Sequence, residues 1–154
     1  MNDYEMLVNT LSKEVPIKEV PLYEKTKDTA YFYKGTILIE KSLSTVEKKE
    51  RLYEEYGHCK TSVGNILSQN VLENRKQEKK ARAFGMAQAI SLDDLIDAWN
   101  VGCKYYWECA EFLGFTTQYV IDSVQNIKEM YGVNFTYKNF EFRFITDSCI
   151  EIIE

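Results

Sequence analysis

Apolar positions along this chain change period several times, and each change marks an element. Tyr4, Leu7, Val8 and Leu11 recur at spacings of three and four, which predicts a helix over residues 3–14 that Asp3 can cap. Pro16 and Pro21 then impose an extended path, and Val15, Ile17 and Val20 suggest a short, edge-like strand. Residues 30–40 read as a hairpin: Ala30–Tyr33 and Thr36–Glu40 are rich in β-branched or aromatic residues and flank a Lys34-Gly35 turn. Ser44 with Glu47 three residues later is a capping box, so a helix runs from there to about His58, with Val46, Leu52, Tyr53 and Tyr56 available for packing. A loop through Ser62, Gly64 and Asn65 follows.

The next helix covers residues 72–89. Glu78, Ala81, Phe84, Gly85 and Gln88 fall on one stripe of it, and the small or apolar members predict that this stripe faces inward. Ser91-Leu92-Asp93-Asp94 is another capping start, and the apolar pattern from Leu95 to Val124 implies two more helices or three short ones. Ala110–Thr117 looks like the turn of a helix-turn-helix. Residues 133–145 alternate cleanly about Lys138-Asn139, as a terminal hairpin does, and Cys149, Ile150, Ile152 and Ile153 form a short apolar tail. Helices and short strands of this kind make an α+β chain.

Composition narrows the function. At 154 residues the chain is one domain, or one with a small extension, and 45% hydrophobic residues suffice for a real core. A net charge of −5 argues against non-specific binding to nucleic acid or anionic membranes. The helix-turn-helix-like stretch sharpens this, because residues 91–131 hold seven acidic and two basic residues, whereas a DNA reader needs cations for phosphates. That stretch therefore reads as packing or partner recognition. Cys59, Cys103, Cys109 and Cys149 form no C-x-x-C pair, and they read as inert free thiols of a reducing cytoplasm. No apolar run approaches a membrane span, and no targeting segment is visible after Met1.

The chemistry concentrates in Leu52-Tyr53-Glu54-Glu55-Tyr56-Gly57-His58. On a helix Glu54 lies four residues and Glu55 three residues before His58, the only histidine, so two carboxylates and one imidazole share a face. Two such groups suit a divalent metal and the third a general base. Near a helix end, which Gly57 and the Thr61–Gly64 run mark, and with Glu50 four residues before Glu54, this negative charge is disfavoured by a few tenths of a kcal/mol, which a cation would reverse. The alternative is that Arg51 and Lys60 solvate an acidic surface. Glu78 is the second informative residue. A carboxylate on an inward stripe is costly unless paired or coordinated; otherwise it pairs with Arg82, or the stripe rotates and exposes it.

Glu54-Glu55-Tyr56-Gly57-His58, followed by Glu78-Lys79-Lys80-Ala81-Arg82-Ala83-Phe84, resembles the ImmA/IrrE family of zinc metallo-endopeptidases, in the short form carried by phages and mobile elements. The opening Met1–Leu7 is also similar to small prophage members. The resemblance implies a minimal zincin-like fold. A small antiparallel sheet packs on the two motif helices over residues 1–90; a helical, helix-turn-helix-like region (91–131) and a terminal β-hairpin with its tail (132–154) follow, all in one compact unit. It also implies residue roles. His58, Glu78 and Glu54 hold the metal, and Glu55 is the catalytic base that activates the metal-bound water. Glu54 stands where the family usually has a histidine. Two oxygens and one nitrogen still suit zinc, and make manganese more acceptable.

The function this implies is a cytoplasmic, metal-dependent endopeptidase that cleaves or inactivates a helix-turn-helix repressor. The substrate would pair by strand addition with Thr36–Glu40, contacting Ile37 and Ile39. The Glu54 departure motivates the alternative, a catalytically weak or inactive antirepressor that keeps the fold and binds the repressor stoichiometrically.

Overall fold

Asn2, one residue ahead of the expected cap, starts the first helix: its side chain accepts from the Glu5 amide, and the Glu5 carboxylate accepts from the Asn2 amide in turn. Helix α1 (Asp3–Leu11) stops earlier than residue 14, and Tyr4 and Leu11 are buried on its inner face. This computed structural model describes residues 1–61 and 71–154, with side chains from residue 74 onward in the second stretch. The loop expected at Ser62, Gly64 and Asn65 lies outside the described residues. Among them are seven helices and two three-stranded sheets, a mixed α+β chain.

The chain divides into two compact units, Met1–Gly85 and Met86–Glu154. The first holds α1, strand β1 (Ile17–Val20), the one-turn helix α2 (Tyr23–Thr26), β2 (Ala30–Tyr33), β3 (Thr36–Glu40), α3 (Thr45–Thr61) and most of α4 (Val71–Ala89). The expected hairpin is present, with Tyr33 opposite Thr36 across the Lys34-Gly35 turn. Both turn residues have positive φ, 48° and 78°, as a two-residue turn matched to strand twist requires.

The strand order is β1-β3-β2, and β1 runs parallel to β3. The sheet is thus mixed, not antiparallel as expected. The segment containing α2 carries the chain past the central position, β2 forms the far edge, and β3 returns between the two. Glu40 fixes that crossing. Its buried carboxylate accepts the amides of Leu22, Tyr23 and Ser42, each at 2.8 Å. It thereby caps α2 from the end of β3, and these donors hold its pKa down to about 2. Tyr4, Leu11, Val15, Ala30, Ile37, Ile39, Leu52 and Tyr56 form the core against which α3 is laid.

The second unit begins inside α4, earlier than the boundary at residue 90, and Ile90 is buried. It contains α5 (Leu92–Asn100), α6 (Tyr106–Leu113), α7 (Thr117–Tyr131), β4 (Asn134–Tyr137), β5 (Phe140–Arg143) and β6 (Glu151–Ile153). The Ser91 capping box forms with Asp94. The expected terminal hairpin turns between Tyr137 and Phe140, and Phe135 stacks on buried Phe142 at 5.0 Å. The tail is more than an apolar tail: β6 pairs with β5 as a third strand, because Ile150 and Ile152 alternate into the core. The expected helical region, 91–131, and the expected hairpin and tail, 132–154, therefore lie in one unit.

Candidate metal centre

Helix α3 supplies the first part of the site. Ser44 Oγ accepts the Glu47 amide and donates to the Glu47 carboxylate, so the helix starts where its capping signal lies. It continues to Thr61, one turn beyond His58. Glu54 and Glu55 therefore stand farther from the negative helix end than the sequence suggested, and the dipole penalty on them is smaller. Leu52 and Tyr56 point into the core, which orients Glu54, Glu55 and His58 toward α4 and the β2 side.

Helix α4 supplies Glu78, and two glycines bring it close. A Cβ on Gly57 would run into the Ala81 carbonyl oxygen, and one on Gly85 would lie 2.5 Å from the Tyr53 carbonyl oxygen. The two backbones thus meet with no side chain between them. Gly57, read from sequence as a sign of the helix end, is a crossing residue instead. Ala81 and Gly85 are buried as the stripe predicted, but the stripe is rotated and the Glu78 side chain is 56% exposed. Its carboxylate nevertheless turns to the imidazole: Glu78 Oε2 is 3.3 Å from His58 Nε2.

One donor atom from each of Glu54, His58 and Glu78 lies within 4.8 Å of the other two. The chemistry of this set suits a divalent cation, and two ligand atoms on a tetrahedral zinc are separated by about 3.3 Å. The imidazole–carboxylate spacing already has that value, whereas a strong charge-assisted hydrogen bond is shorter, about 2.7–2.9 Å. Glu54 is also engaged elsewhere: Arg51 Nη1 lies 2.6 Å from its Oε2.

Glu55 lies beside this set and differs from it. It is buried, and Arg51 Nη2 lies 3.5 Å from its Oε1. Burial raises its pKa to about 7; His58 and Arg51 pull against that rise, and Glu54 and Asp28 add to it. A carboxyl poised near neutrality can both accept and return a proton, which is what a general base requires.

Arg51 is the residue beside this set that sequence reasoning undervalued. It reaches Glu54, Glu55, Asp28 and the Ala30 carbonyl, tying α3 to the start of β2. Its spacing to Glu54 and Glu55 was visible as three and four; its link to residues 28 and 30 was not. Lys60, the other cation expected to solvate the acidic face, pairs with Glu14 at 2.7 Å, where Tyr56 also donates.

Ile37 and Ile39, expected to contact a substrate strand, face the core instead. Both are fully buried, and β3 is paired on both sides, so no extended chain can add to it. Among the described residues β1 and β2 are the edge strands of the sheet, and α3 packs against β2 and β3. The four cysteines are free, and burial pushes the Cys109 thiol up to about 12, as befits an inert core thiol. No helix among the described residues is long and apolar enough to cross a membrane. Comparison of the chain with protein-family models, with curated proteins and with solved structures gave no match.

Proposed function

We propose that the chain is a metal-dependent endopeptidase of the ImmA/IrrE type, with a minimal zincin-like core in its first unit. Its substrate is a helix-turn-helix repressor of a phage or mobile element, which it cleaves or inactivates in the cytoplasm. The single observation that supports this reading is the meeting of Glu54, His58 and Glu78 beside a buried carboxyl of near-neutral pKa. Those three residues would hold zinc, or manganese, whose acceptance the two oxygen donors favour.

When bound, the cation supplies Lewis-acid polarisation of the scissile carbonyl and the attacking water. Glu55 takes the water proton and delivers it to the leaving amine. Arg51 keeps the Glu55 carboxyl oriented and offsets part of the local negative charge. The edge of β2, next to the Arg51 contact with the Ala30 carbonyl, offers the backbone groups along which an extended substrate would lie.

The test is a paired one. Purified protein should carry about one zinc or manganese per chain by elemental analysis, and Glu78→Ala should lose it while keeping its circular dichroism spectrum. Glu55→Gln should keep the metal and lose repressor cleavage by on the order of 10²–10⁴-fold. Full cleavage by Glu55→Gln, or a metal-free parent protein, ends the peptidase reading.

A second reading has its own observation. Glu54 is already engaged by Arg51 at 2.6 Å, which disfavours its transfer to a cation. A protein that binds the repressor stoichiometrically and does not cleave it would tolerate this. Substoichiometric protein consumes excess repressor in the first case and leaves it intact in the second.

A further inference from the structure

The outer face of α6 carries an unusual combination of side chains. Tyr106, Cys109 and Ala110 are buried, so at 100° per residue Trp107, Glu108, Glu111 and Phe112 share the opposite face. Trp107 is 58% and Phe112 47% exposed. In angle, the two aromatic rings flank the two carboxylates. Glu108 keeps Oε1 on the amides of Lys104 and Tyr105, which fixes its position. Glu111 makes no hydrogen bond or ion pair among the described residues. Helix α6 has no basic residue.

The charge of the chain is segregated in the same sense. Met86–Glu154 holds eleven acidic and four basic residues, net −7, whereas Met1–Gly85 holds thirteen acidic and fifteen basic, net +2. A face kept only for solubility has charge without large exposed rings. Exposed tryptophan and phenylalanine beside carboxylates have the composition of a binding face.

We propose that this face docks an arginine-bearing, cationic segment of a partner protein. A guanidinium stacks on an aromatic ring and forks a carboxylate at once, which a lysine ammonium does less well. Nucleic acid and anionic membranes are repelled by the same charge. The inference is independent of the metal centre, since none of its residues lies in the first unit.

The probes are synthetic peptides of nine arginines and of nine lysines, titrated into the full chain by calorimetry and by tryptophan fluorescence. The arginine peptide should bind about fivefold more tightly than the lysine peptide. Trp107→Ala combined with Phe112→Ala should weaken the arginine peptide about tenfold and erase that preference. Glu111→Lys, an exposed charge reversal that leaves both rings in place, should weaken it about fivefold. All three side chains are solvent-facing, and unchanged circular dichroism checks that the variants fold. Equal affinity for the two peptides, or undiminished binding by the double variant, overturns the proposal, because binding would then be generic to an acidic protein.

Discussion

Burial, more than any one neighbour, sets the behaviour of Glu55. Folded, it holds its proton up to about pH 7; unfolded, it releases it near the ordinary 4.5. The folded state therefore binds more protons between those values, and stability must fall as pH rises through that window. The contribution is fully present below about 4.5 and lost above about 7. In cation-free protein, thermal melts should show this decline for the parent chain, and Glu55→Gln should flatten it, because glutamine does not titrate. The spacing of Glu54, Glu55 and His58 was legible in the sequence, since three and four residues along a helix are neighbours whatever surrounds them. The division of labour among them was not. Glu54 is half-buried and Glu55 buried, and that difference depends on what α3 packs against.

The element that decides the site is the crossing of α3 and α4. Glycine at positions 57 and 85 lets the backbones meet, and this contact sets how far Glu78 stands from His58. Alanine at either position improves helix propensity but must push the helices apart. Gly85→Ala should therefore destabilise the fold by about 1–3 kcal/mol in chemical denaturation, the usual cost of overpacking. It should also weaken zinc binding by calorimetry, although residue 85 is no ligand. A variant that binds zinc like the parent would show that the crossing does not position the site. The stripe of Ala81, Phe84 and Gly85 made this helix face readable from the sequence. The role of Gly57 was misread, because a glycine near a helix end and a glycine at a helix crossing look alike along one chain. The place of β3 was also hidden: a hairpin arm is an edge or a centre only once a third strand has chosen its side, and β1 chose β3.

At the scale of the molecule, two carboxyls with opposite shifts shape the pH response. Glu40, held down to about 2 by three amides, contributes stability above about 4.5 that is lost as pH falls toward 2. Glu55 has the reverse sign, so cation-free protein should be most stable near pH 4.5–5. A bound cation favours the charged form of Glu55. Adding zinc should then move the stability maximum toward neutral pH, as measured by melting temperature against pH with and without the metal. An unmoved maximum would mean that no cation settles beside Glu55. The separation of charge between the two units, −7 against +2, was present in the composition all along. Its meaning needed the unit boundary, which falls inside a continuous helix that no sequence signal interrupts.

What the sequence determined by itself is what local spacing can carry. It set the helix starts at Ser44 and Ser91, which residues share a helix face, the Lys34-Gly35 turn, and the presence of one imidazole among carboxylates. Tertiary structure alone decided that Glu78 meets His58, that Arg51 reaches Asp28 and the Ala30 carbonyl, that Glu40 caps a helix eighteen residues away, and that Ile37 and Ile39 lie in the core. The physical reason is range. Backbone hydrogen bonding and helical periodicity act over a few residues and can be read along the chain. Burial, desolvation and the approach of two backbones arise only when distant segments occupy the same space.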